Sequence, residues 1–298
     1  MMNTMNQRDT NDAASRTHAG WDSQALDVTA YLERIAYDGP TAPTVETLGA
    51  LSLAHLRAVP FENLDIHLGR PIRLEQATVF DKIVRQRRGG FCYELNGLFA
   101  SLLRALGYRV ELLSAQFSRP GGAWSPEFDH LMLRVYEPGD ETGPGWLVDV
   151  GRGRNAPTFP VRFGAAETQT DPWDGVAFRM TLAPDDDGRN SWLSHRRPPG
   201  EGWTPPLRIS AQPRQLPDFA AMCHWQQTAP DSHFTKGRIC TRLTEDGRIT
   251  LSERTLIVTR DGQREERELA GEAEVAEVLR TEFRIDLPAT GSGREESR

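Results

Sequence analysis

Cysteine is scarce in this chain, and what the sequence lacks narrows the field before any motif is read. Only three cysteines, Cys92, Cys223 and Cys240, stand among 298 residues. They are odd in number and lack CxxC spacing, so neither a disulfide framework nor a zinc knuckle is suggested, and no metal is expected. A reducing, cytoplasmic setting follows as the expectation. No apolar run approaches membrane-spanning length, and the N-terminus lacks the apolar stretch of a signal peptide. Positive charge is not in surplus either. Lys+Arg total 35 against 42 Asp+Glu, a net charge of −7, so neither nucleic acid nor an anionic membrane is expected as a partner. No internal repeat is found. What remains, 38% hydrophobic and 26% charged residues, is the composition of an ordinary globular protein. The length allows a sizeable core and lies near the size at which single cores split, so two or three lobes are expected.

The stretch Arg88 to Tyr108, RGGFCYELNGLFASLLRALGY, carries the strongest local signal. Leu95, Leu98, Phe99, Leu102, Leu103 and Leu106 recur at helical spacing, which predicts an amphipathic helix with Cys92 in its first turn. Gly89 and Gly90 permit a sharp turn into that helix, and Gly107 ends it. A cysteine there meets unpaired backbone N–H groups and the positive end of the helix dipole, which favour the thiolate and predict a lowered thiol pKa. The competing reading is a small buried core residue.

Along the chain, residues 1–23 are polar and aperiodic and are expected to be a disordered tail. Asp27–Ile35, Thr44–Ala58 and Ala77–Arg87 are predicted helices, with VPFENLDIHLG as a loop between the second and third. A helical unit carrying the nucleophilic cysteine is thus expected over residues 24–110. The period then changes. Arg109–Phe117, Phe128–Tyr136, Trp146–Val150, Ala177–Leu182, Asn190–Ser194 and Leu207–Ser210 are β-rich, predicting a small barrel over 111–217. Ile239–Leu243, Ile249–Leu251 and Thr255–Thr259, with turn signals at Asp246-Gly247 and Asp261-Gly262 and a closing helix at Ala270–Glu282, predict an α/β unit over 218–288. Residues 289–298 are expected to be a polar tail.

His130 opens the strand HLMLRV, and Asp149 lies near the end of WLVDV. The turn-rich segment EPGDETGP between them predicts an antiparallel hairpin that brings 130 close to opposite 149. Opposed residues have Cβ atoms roughly 4.5–5.5 Å apart, near enough for a carboxylate to hold an imidazole N–H. A carboxylate between Val148 and Val150 needs such a partner. The chain therefore offers a nucleophile, a base and an orienting carboxylate, although a strand histidine is more often a core or surface group. His55, His67, His195, His224 and His233 lie in segments without a comparable carboxylate. GRGRNA (151–156) superficially matches a dinucleotide fingerprint, but Pro157 and an extended segment follow in place of a helix, so that reading is rejected.

These pieces are familiar together. VPFENLDIH (59–67), RGGFCYELNGLF (88–99), DHLML (129–133), VDVGRG (148–153) and TAPDSHFTKGRICTRLTEDGRITLS (228–252) resemble, in order and spacing, the arylamine N-acetyltransferases. The likeness runs from about Ala25 to Leu287. It implies an α+β fold of N-terminal helical bundle, central β-barrel and C-terminal α/β lid, sharing its active-site core with papain-like and transglutaminase-like thiol enzymes. Cys92, His130 and Asp149 correspond to the family's catalytic triad. The implied reaction is ping-pong: Cys92 takes the acetyl group from acetyl-CoA and passes it to an arylamine, arylhydrazine or arylhydroxylamine. Gly151, Gly153 and Ser232 are implied contacts to the coenzyme, and Phe61 and Phe234 to the acceptor, with simple core packing the competing reading for Phe61. Glu62 and Arg88 are expected to pair and brace the cysteine turn. Arg152 stands where the family usually carries an aromatic residue. It either points to solvent or contacts substrate, favouring acceptors or acyl groups that carry a carboxylate. A biosynthetic amide synthase acting on a carrier-protein thioester is the alternative, a thiol hydrolase and a non-catalytic binding module less so. Monomer or small homo-oligomer is expected.

Overall fold

The computed structural model describes residue 21 and residues 26–183 and 191–287. The two predicted tails therefore lie almost wholly outside the described residues.

The chain opens with helices α1 (Val28–Arg34) and α2 (Val45–Ala58), whose first turns are closed by Asp27 and Thr44 accepting from backbone N–H groups. The segment read as a loop instead contributes a short strand, β1 (Phe61–Glu62), and one helical turn, α3 (Leu64–His67). The third predicted helix splits. Its first half is α4 (Gln76–Phe80) and its second half, Asp81–Arg85, is a widened π-type turn. Such turns recur at functional sites, and this one carries Lys82 into a buried cluster described below.

Helix α5 (Cys92–Ala105) is the centre of the molecule. Its predicted boundaries hold, but the expected single apolar stripe does not: every residue from Cys92 to Leu103 is buried. Beneath it lie strands β2 (Arg109–Phe117) and β3 (His130–Tyr136). Those strands are covered on both faces, since Leu112, Leu131, Leu133 and Val135 pack in the helical core while Leu113, Ala115 and Met132 pack in the barrel. This explains why β3 reads as an almost continuous apolar run. Each fully buried leucine of α5 stabilises the fold by about 2 kcal/mol relative to exposure.

The barrel adds β4 (Trp146–Val148), β5 (Val161–Arg162), β6 (Gln169–Thr170), β7 (Ala177–Leu182), β8 (Ser191–Arg197) and β9 (Leu207–Ser210) in the order β5-β4-β3-β2-β9-β8-β7-β6. Its two edge strands are joined by a side chain. Gln169 accepts from the Arg162 backbone N–H through Oε1 at 2.7 Å and donates to the Arg162 carbonyl at 3.3 Å, so the barrel is nearly closed.

After α6 (Ala220–Thr228) and α7 (His233–Lys236) comes a second sheet of β10 (Ile239–Leu243), β11 (Gly247–Ser252), β12 (Thr255–Arg260) and β13 (Gln263–Glu268), then α8 (Glu272–Glu282). The predicted Asp261-Gly262 turn joins β12 to β13 with both residues at positive φ, as a tight hairpin requires. β13, QREERE, is exposed along its whole length and has no apolar alternation, so it was invisible to periodicity. β1 completes this sheet by pairing with β10, Phe61 opposite Thr241 and Glu62 opposite Cys240. That pairing ties the helical region to the C-terminal sheet. No described helix is long and apolar enough to cross a membrane.

Candidate active site

Gly89 and Gly90 are needed for close approach, not for unusual backbone angles. Neither has positive φ; a side chain on Gly89 would run into the Pro60 carbonyl, and one on Gly90 into Glu94. The turn they make delivers Cys92, 3 % exposed, to the start of α5. The helix is closed there by Glu94, whose Oε2 accepts from the Phe91 N–H at 3.1 Å.

Behind this turn lies a buried ionic cluster. Arg88 pairs with Glu62 at 2.8 Å, as anticipated, and also with Asp65 at 2.9 Å. Lys82 lies 2.7 Å from Asp65 and 2.8 Å from Glu94. Burial opposes the charge on Lys82, yet Glu94, Glu62 and Asp65 together push its pKa above the ordinary lysine range. Lys82, Asp65 and Glu94 were missed in the sequence. Glu94, three residues after the helix N-cap, carried a capping signal.

Across the nucleophile, His130 Nε2 and Asp149 Oδ2 are 2.8 Å apart, both side chains buried. The pairing register differs from the simple hairpin expectation. Leu133 lies opposite Val148, which places 149 opposite 132; His130 reaches Asp149 as a same-face neighbour two residues along. Asp149 Oδ1 accepts from Asn96 Nδ2 and from the Gly151 N–H, each at 2.9 Å. Asn96 also donates to the Leu131 carbonyl at 2.7 Å and accepts from the Val150 N–H at 2.9 Å. It sits one helical turn after Cys92, on the same face, and so locks α5 to both strands of the hairpin. That spacing was the signal the sequence offered. Burial alone would raise the Asp149 pKa, but His130, the Asn96 hydrogen bond and the charge of Arg152 outweigh it and hold the carboxyl below its usual range. With the carboxylate accepting from Nε2–H, Nδ1 is the basic nitrogen.

The thiol departs from expectation. Burial pushes the Cys92 pKa well above its ordinary value; the Leu131 backbone N–H works in the opposite direction, and Asp149 and Asp129 add to the rise. Deprotonating this buried sulfur therefore calls for a proton acceptor beside it.

One cavity of about 250 Å³ gathers these groups. Cys92, His130, Gly151, Gly153, Phe61, Arg152 and Phe234 all line it. A side chain at Gly151 would lie 2.8 Å from the Cys92 Cα, so only glycine lets this loop rest on the nucleophile. Arg152 does not turn to solvent: its Nε is buried without a hydrogen-bond partner, and burial brings its pKa down to about 10. Asp129, Phe117, Thr241 and Thr250 also line the cavity, as does His233, which the sequence reading had set aside. Asp129 is held by Gln226 of α6. Ser232 is not part of the lining. It is 1 % exposed, its hydroxyl is hydrogen-bonded to Gln226, and it caps α7 by accepting from the Phe234 N–H at 3.2 Å.

A cysteine at the start of a central helix, set against a barrel sheet that presents a hydrogen-bonded His–Asp pair, is the core layout of the papain-like thiol enzymes. Comparison with known proteins narrows this class. An N-acetyltransferase family model matches residues 44–291. The arylamine N-acetyltransferase of Mycolicibacterium smegmatis is 37% identical over 266 residues, covering 88% of this chain and 93% of that one. Arylamine N-acetyltransferase 2 of Mus musculus is 30% identical over 285 residues, covering 88% and 95%. Among solved structures, the Mycobacterium marinum enzyme in complex with CoA superposes with a TM-score of 0.76 at 34% identity, covering 87% of this chain and 93% of that one. The chain belongs to the arylamine N-acetyltransferase family, and the protein is an acyltransferase.

Proposed function

We propose that the protein transfers an acetyl group from acetyl-CoA to an arylamine, arylhydrazine or arylhydroxylamine, by a ping-pong route through an acetylated Cys92. The observation that carries this reading is that His130, 2.8 Å from Asp149 behind it, lines the same cavity as a cysteine at a helix start. In the first half-reaction His130 Nδ1 takes the thiol proton. The sulfur attacks the thioester carbonyl, the carbon–sulfur bond to coenzyme A breaks, and the departing thiolate takes the proton from the imidazolium. In the second, the amine nitrogen attacks the acetyl carbonyl, loses a proton to His130, and releases Cys92. Asp149 keeps the imidazole in the required tautomer. Backbone N–H groups at the start of α5, including that of Cys92, stabilise the oxyanion.

The cavity fits these partners. Phe61 and Phe234, with ring centroids 6.1 Å apart, offer apolar faces to a flat acceptor. The backbone of Gly151 and Gly153 is assigned to the coenzyme A donor, whereas Ser232, outside the lining, is left as the cap that positions Phe234. Arg152, whose Nε is buried in this lining without a hydrogen-bond partner, is assigned to substrates bearing a carboxylate: aminobenzoates, or dicarboxylic acyl groups. In this reading residues 24–110 supply the nucleophile, 111–217 the base and its carboxylate, and 218–288 the lid. The test is intact-mass analysis after incubation with acetyl-CoA. A single acetyl adduct, mapped to Cys92 and discharged by an arylamine, is expected; no adduct, or one that arylamines leave untouched, overturns the reading.

A further inference from the structure

A second cavity, of about 390 Å³, shares no lining residue with the first and is lined by five arginines: Arg34, Arg57, Arg87, Arg242 and Arg284. Among the described residues, Glu245 is the only acidic one in its lining. Four helix ends converge on it. Arg34 donates to the carbonyls of Ile83 and Ala58, both at 2.8 Å, and of Arg87 and Arg88, both at 3.2 Å. Arg242 donates to the carbonyl of Glu282 at 2.8 Å. Each helix C-terminus carries about half a negative charge, so the four ends of α1, α2, the π-type turn and α8 account for roughly two arginines. Arg34 and Arg242 are those two.

Arg57, half-buried, and Arg87 and Arg284, both exposed at the rim, are surplus to that role. Arg57 Nε is buried without an acceptor. Among the described residues, no carboxylate is within ion-pair distance of any of the three. Their neighbours feel the excess: burial, then the charges of Arg87, Arg284 and Arg242, bring Arg34 down to about 10. Three residues with positive φ, Ala36, Arg87 and Arg284, line this cavity, each the first residue past a helix C-cap, where the left-handed conformation ends the helix.

We propose that this cavity is an anion site for a phosphate-bearing ligand, with Arg57, Arg87 and Arg284 clasping its phosphoryl oxygens. Planar guanidinium groups suit that role, and three surplus cations match a phosphate or diphosphate in charge. The site backs onto the catalytic machinery at two points. Arg87 immediately precedes the Arg88–Gly90 turn that delivers Cys92, and on β10 Thr241 lines the first cavity while Arg242 lines the second.

The test titrates the full-length protein with orthophosphate, pyrophosphate and adenosine 3′,5′-bisphosphate at constant ionic strength, following thermal unfolding. Saturable stabilisation is expected. It weakens at least about tenfold in apparent affinity in the Arg57→Gln/Arg284→Gln protein and survives in Arg154→Gln, a substitution in the first cavity. The most effective probe identifies the source, a free phosphate or the phosphorylated end of a nucleotide. Should the double variant fold poorly, Arg87→Gln, at an exposed position, takes its place. Stabilisation that is absent, or unchanged in these variants, overturns the proposal. So does stabilisation that emerges only after Glu295→Gln/Glu296→Gln, which assigns the cavity to the two glutamates of the chain's own polar tail.

Discussion

Two buried polar clusters flank the turn that carries Cys92, and they differ in how fully their polar groups are used. Behind the turn, Lys82 and Arg88 meet Glu62, Asp65 and Glu94, and both cations are ion-paired to more than one carboxylate. In front of it, Asp149 is equally well held, but His130 keeps one ring nitrogen for other work and Arg152 Nε has no acceptor. The histidines differ in their surroundings. His55, fully buried behind α5, is held at Nδ1 by the Tyr31 hydroxyl at 2.9 Å while its Nε2 is buried without a partner, and burial drives its pKa down to about 3. His130 faces a cavity with a carboxylate at its back. A satisfied polar cluster braces; one with open valences does chemistry.

Substitutions break this comparison in order of size. Cys92→Ala removes the acceptor of the acetyl group, and acetyl transfer should fall at least about 10⁴-fold with the unfolding midpoint unchanged. Asp149→Asn keeps the packing but not the tautomer, so a loss of roughly 10³-fold is expected in steady-state transfer, again with little effect on stability. The brace should behave in the opposite way. Lys82→Met leaves buried carboxylates with one cation fewer and should cost about 3 kcal/mol in urea unfolding; an unchanged midpoint would show that the cluster bears no load.

His55 gives the pH dependence. Its pKa is depressed in the folded state, so its contribution to stability is present above pH 6.5 and is lost as pH falls toward about 3. Unfolding free energy should decline across that window by roughly 1.4 kcal/mol per pH unit at steepest. His55→Gln should flatten the slope, and an unaltered slope assigns it elsewhere. The smallest effect is expected of Arg152→Phe. The ratio of aminobenzoate to aniline turnover should drop about tenfold, which corresponds to one lost charge-assisted hydrogen bond.

Much of the fold was legible because its elements obey simple periods. β2, β7, β9 and β10 match their predicted spans, and α5 begins at Cys92 as read. The misses have two causes: elements whose burial comes from distant partners carry no period of their own, and β13, exposed along its whole length, buries no face that would impose one. β1 is two residues long and exists only because β10 lies beside it. The site divides similarly. Cys92, His130 and Asp149 could be singled out by position and residue type. Asn96 offered only its spacing from Cys92, and Lys82 and Asp129 offered nothing, since each acts by touching a residue distant along the chain.

The sequence by itself determined which groups could react: a cysteine entering a helix, a strand histidine, and a carboxylate among valines. Tertiary structure alone decided what those groups are worth. It buries the Cys92 thiol, so that desolvation opposes the pKa fall expected at a helix start, turns Arg152 inward and takes Ser232 out of reach. Desolvation and hydrogen bonding depend on every atom packed around a group, and most of those atoms belong to residues far away along the chain.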